Sequence, residues 1–87
     1  SANTGAGIVD IYPNPATDPL TIYFHDFAPT TATIIIYNKA GQRMYTSNVN
    51  LASGSEYIQI PVSNWAHGTY IVNIRAGDKK IEKQILR

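Results

Sequence analysis

Short runs of β-branched and aromatic residues recur at roughly ten-residue spacing, separated by turn formers, a pattern that predicts an all-β sandwich or barrel of about seven strands. The first run, Ile8 to Tyr12, stops at Pro13-Asn14-Pro15, where both prolines lack a ladder donor and Asn favours a turn. In Leu20 to Phe24 the alternation is clear, with Leu20, Ile22 and Phe24 on one face and Thr21, Tyr23 and His25 on the other. Thr33 to Tyr37 is apolar on both faces, as a central strand would be. Asn38-Lys39-Ala40-Gly41 then reads as a hairpin turn, with Gly41 suited to positive φ, leading into a strand from Gln42 to Thr46.

A Ser- and Asn-rich stretch, Thr46 to Ser55, leads to a short strand, Tyr57 to Ile60, that Pro61 ends. Ser63 to Gly68 is a long turn, and Thr69 to Arg75 is the clearest strand of all, with Tyr70, Val72 and Ile74 on one face. After the turn at Gly77-Asp78, Lys79 to Leu86 supports two readings. Ile81 and Ile85 are four apart among helix formers, which suits a terminal helix. As a strand, the segment puts Lys79, Ile81, Lys83, Ile85 and Arg87 on one face, which suits an edge strand whose long cations snorkel off an apolar surface. Ser1 to Gly7 is small and polar and reads as a flexible leader, so the domain is expected to run from residue 8 to residue 87.

Composition narrows the function. Eighty-seven residues with 44% apolar and 15% charged side chains suffice for one small globular domain. The longest apolar run, Ile34 to Tyr37, is far below the roughly 20 residues of a spanning helix, so membrane insertion is not expected. No basic stretch followed by an apolar region opens the sequence, so a signal for crossing an inner membrane would lie outside these residues. With no cysteine there is no disulfide, thiolate metal site or thiol nucleophile, and core packing alone must hold the fold. A net charge of +1 argues against nucleic acid as a partner. The charge is uneven, however: Arg75, Lys79, Lys80, Lys83 and Arg87 face only Asp78 and Glu82 in the last stretch, which reads as a basic tip.

Nothing in the residue pattern points to catalysis or to a cofactor. His25 and His67 have no metal-ligand spacing, and the acids are scattered singly. No serine elbow or glycine-rich phosphate loop is present. The aromatic residues admit structural roles: Tyr70 as a tyrosine corner, Trp65 as a plug over one end of a sandwich, and Tyr23 with Tyr57 as a cross-strand pair. Exposed and coplanar, Tyr23, Tyr57 or Trp65 would instead suit sugar rings, so a carbohydrate-binding or fibronectin-like accessory module of a secreted enzyme is the alternative function.

Three blocks in fixed order carry a family resemblance: Ile11-Tyr12-Pro13-Asn14-Pro15-Ala16 followed by Leu20-Thr21-Ile22; Ile36-Tyr37-Asn38 through Gly41-Gln42; and Gly68-Thr69-Tyr70-Ile71-Val72 through Lys79, Lys80 and the end. Over residues 8 to 87 the chain resembles the type A C-terminal sorting domain of the type IX (Por) secretion system, although Trp65 stands where that family more often has leucine. The resemblance implies an immunoglobulin-like antiparallel β-sandwich that acts as a non-enzymatic address for an exported cargo. It further implies recognition by the outer-membrane translocon and its shuttle proteins, passage through the periplasm to the cell surface, and removal by a surface sortase, with any cleavage point inside this sequence falling in the leader. By position, Tyr12, Pro13, Asn14 and Pro15 match the opening motif, Gly41 the hairpin, Gly68 and Tyr70 the GxY motif, and Lys79, Lys80, Lys83 and Arg87 the basic terminal segment.

Overall fold

A computed structural model describes residues 7–15 and 17–87; most of the expected leader, residues 1–6, lies outside them. Gly7 is already tied to the fold, its N–H donating to the Asp26 carbonyl at 2.8 Å. Seven strands follow in chain order: β1 (Ile8–Tyr12), β2 (Leu20–His25), β3 (Thr31–Asn38), β4 (Arg43–Asn50), β5 (Glu56–Ile60), β6 (Thr69–Ala76) and β7 (Lys79–Leu86). They form two antiparallel sheets, one ordered β1-β2-β5 and the other β4-β3-β6-β7. Alternation places every second residue of each strand between the sheets. Leu20, Ile22 and Phe24 of β2 are fully buried there, together with Ile34 and Ile36 of β3 and Val72 and Ile74 of β6. Each such side chain contributes on the order of 1.5–3 kcal/mol through burial. Without cysteines, this aliphatic layer does the cross-linking.

In two places, β4 and the last segment, the structure departs from, or decides between, the readings of the sequence. β4 runs from Arg43 on to Asn50, where the sequence suggested an end at Thr46. Its second half is polar apart from the buried Val49, and it pairs with β3 through backbone groups and through Thr33 Oγ1 donating to Asn48 Oδ1 at 3.0 Å. β3 is central in its sheet, as its apolar run predicts, with Ile34 and Ile36 facing the core and Ile35 and Tyr37 half-buried on the outside of a two-layered molecule. Finally, Lys79–Leu86 is a strand and not a helix. Its register sets Ile81 opposite Ile74 and Ile85 opposite Tyr70, so both isoleucines pack on the core side and the helical spacing is incidental. Lys79 and Lys83 share that face and remain exposed at the sheet edge, as snorkelling requires.

Candidate functional site

The β6–β7 ladder continues one step past the strands. Gly68 N–H donates to the Arg87 carbonyl at 3.2 Å, and Arg87 N–H donates back to the Gly68 carbonyl at 2.8 Å. Antiparallel ladders alternate, so this reciprocal pair turns the backbone groups of Lys80, Glu82, Gln84 and Leu86 away from β6, toward the open edge. At Leu86 that edge is closed: its N–H donates to Asn14 Oδ1 at 3.1 Å, joining the β1–β2 loop of one sheet to the last strand of the other. Arg87 is held once more, by its Nε donating to the Val62 carbonyl at 2.8 Å, while Val62 N–H donates to Asp18 Oδ1 at 2.8 Å. Asn14 and Asp18 thus act as side-chain caps that replace missing ladder partners.

The GxY segment is buttressed from inside. Tyr70 is buried, and its hydroxyl donates to the Ala66 carbonyl four residues earlier at 2.7 Å, the tyrosine-corner geometry expected from the sequence. Trp65 lies against it, ring centroids 5.0 Å apart, and packs on the core from the end of the sandwich. Asn38, opposite Tyr70 in the register, starts the β3–β4 hairpin at this same end. The Asn38 side chain accepts the N–H groups of Ala40 and Gln42 at 2.9 Å, and Gly41 takes φ +85°, which only glycine adopts cheaply.

One end of the sandwich therefore gathers Tyr12 at the end of β1 with Pro13, Asn14 and Pro15 after it, Gly41 in the hairpin, Gly68 just before β6 and Tyr70 at its start, and Arg87 after β7. The cations do not all join them. Lys79 and Lys80 begin β7 at the far end, beside Ala76 and Arg75, and Lys83 sits midway opposite Val72. The basic tip of the sequence is, in three dimensions, a basic edge running the length of a strand. Lys79 lies along Gly7, whose φ of +69° and lack of a side chain let the lysine stem pass: a Cβ there would come within 2.9 Å of Lys79 Cε. Sequence reading missed Asp18 as a cap and the bond between Asn14 and Leu86. An Asp before Pro at a strand start hints at the first, whereas a contact across 72 positions leaves no local signal for the second.

On the outside of the three-stranded sheet a second group forms. Tyr57 stacks on Tyr23 with centroids 4.2 Å apart, and Tyr23 stacks on His25 at 4.6 Å. His25 Nε2 meets Asp10 Oδ2 at 2.9 Å. Lost hydration, and next the neighbouring Tyr57, hold the Tyr23 phenol above the usual tyrosine pKa. These rings lie face to face in a column; they do not form a flat side-by-side platform for a sugar. Among the described residues no group of three or more His, Cys, Asp or Glu side chains could hold a metal ion.

Comparison with known proteins adds three findings. Residues 10–87 match the family model of the secretion system C-terminal sorting domain. The fold is similar to the crystal structure of a DUF3244 family protein with an immunoglobulin-like β-sandwich fold from Bacteroides vulgatus, at a TM-score of 0.63 and 16% identity, covering 92% of this chain and 99% of that one. No curated protein matches the sequence.

Proposed function

Since the chain belongs to the family of secretion system C-terminal sorting domains, matched over residues 10–87, we propose that it addresses a cargo joined ahead of Gly7 and that its β7 edge is the part the machinery grips. Membership carries the coarse function, a type IX sorting signal with export to the cell surface or beyond, on an immunoglobulin-like sandwich. In the finer reading, the folded domain passes through the periplasm, is taken by shuttle proteins and the outer-membrane translocon, and is cut from its cargo by a surface sortase. The domain does no chemistry of its own.

The observation that carries this reading is the state of β7. From Lys80 to Gln84 its outward backbone groups have no neighbouring strand among the described residues, and Lys79, Lys80 and Lys83 line it with positive charge. Such an edge can accept an extended strand, with charge choosing the partner. At its far end, Asn14, Gly68 and Arg87 keep the strand in register, giving the opening and GxY motifs a shared physical purpose.

A reporter fused ahead of residues 1–87, expressed in a cell that has the secretion system, provides the test. The fusion should reach the surface, and reversing charge at Lys79, Lys80 and Lys83 should leave it in the periplasm while circular dichroism shows an intact fold. Surface export of the charge-reversed fusion at the original level would refute the role of β7.

A further inference from the structure

The outer face of the four-stranded sheet is more apolar than a solvated face needs to be. Ile35 and Tyr37 of β3 and Ile71 of β6 are half-buried there, and Tyr37 pairs with Ile71 across the ladder. Ile35 and Tyr37 line a depression of about 650 Å³ whose wall continues through Asn73, Arg75 and Lys80. Arg75 and Lys80 stand directly opposite each other. The alternation counted from the Gly68–Arg87 pair makes theirs a non-hydrogen-bonded position, where facing side chains come closest. Like charges so placed repel. Among the described residues neither cation makes an ion pair; Glu82, the anion on this wall, stands opposite Asn73 and bridges to neither.

We propose that this face docks an acidic segment of a partner polypeptide. A carboxylate seated between Arg75 and Lys80 relieves their repulsion, with the guanidinium offering a two-pronged hydrogen bond. An adjoining apolar side chain covers Ile35 and Tyr37 and removes them from water. Nucleic acid is disfavoured by the low net charge, and an anionic polysaccharide brings no apolar group for the floor. The surface lies on the flat of the sheet, away from Asn14 and Arg87, and shares only Lys80 with the charges of the β7 edge, so it adds a second contact to the sorting role.

Titration of the isotopically labelled 87-residue domain with the capped peptide Leu-Glu-Glu-Phe-Leu, followed by nuclear magnetic resonance, tests it. Shifts should centre on Ile35, Tyr37, Arg75 and Lys80, and the same peptide with lysine for glutamate should leave them unmoved. Arg75→Glu should weaken binding roughly tenfold, as the loss and reversal of exposed charge contacts implies, and Arg75→Lys should retain most of it. Should Arg75→Glu fail to fold, Arg75→Gln serves in its place, with a weakening of several-fold. Shifts that are absent, that fall on other faces, or that survive Arg75→Glu unchanged overturn the proposal. So does binding of a sulfated polysaccharide at this face with no response to the peptide. Because the readout is peptide binding by a purified domain, failure here leaves the export reading intact, and failed export leaves this one intact.

Discussion

Asn14 and Leu86 are 72 positions apart in the chain, yet the side-chain oxygen of the first accepts the backbone N–H of the second at 3.1 Å. This bond closes the sandwich at one corner by linking two edge strands of different sheets. Asn14→Ala should cost about 0.5–1.5 kcal/mol, since water can reach the freed N–H. Amide exchange at Leu86 should quicken well before that in the core strands. Unchanged protection at Leu86 would show that the bond does not hold the strand end.

Tyr70→Phe removes only the hydroxyl that donates to Ala66. With the ring still packed, the loss is that of one half-buried hydrogen bond, about 1–2 kcal/mol. For a domain of this size the unfolding temperature should drop by roughly 5–10 °C. A variant as stable as the parent would mean that Trp65 packing alone fixes the Ser63–Gly68 turn.

Two glycines with nearly equal φ separate strain from crowding. Gly41, at +85°, has nothing within 4 Å of the place a Cβ would occupy, and Gly54, at +86°, would put that atom 2.8 Å from the Phe27 carbonyl oxygen. Gly41→Ala should cost about 1–2 kcal/mol, the left-handed penalty alone. Gly54→Ala should cost clearly more, because the loop must move and its bond to the Phe27 N–H at 3.1 Å is disturbed. Denaturant midpoints of the two variants give the comparison directly.

Lys83 faces the core side from an exposed position on an edge strand. Lys83→Val should therefore raise thermal stability slightly, by improved packing opposite Val72, while making the domain self-associate as concentration rises. Sedimentation velocity would detect the added dimer. A variant that stays monomeric would show that the edge is protected by something other than this charge.

Six of the seven strands were legible because each combined alternation or β-branching with a clear stop, such as Pro13 after β1, Gly41 before β4 and Pro61 after β5. Tyr70 could be read as a corner because its partner, Ala66, is local. β4 outran its reading because edge strands are held largely by backbone pairing, and Val49 is the single apolar residue among Ser47 to Asn50 to mark the extension. β7 was undecidable from sequence alone, since isoleucines four apart satisfy both a helix and a strand, and only the register against β6 chooses. The gathering of the motifs at one end was likewise out of reach, because it depends on which sheet each strand joins. The apolar run of β3, with Ile35 and Tyr37 on its outer face, marked it as a central strand, and central it is.

Gly7 is tied to Asp26 and lies beside Lys79, at the pole opposite Gly68 and Arg87. The chain therefore enters the sandwich a full strand length from the corner fastened by Asn14, so the point of entry and the fastened corner occupy opposite poles.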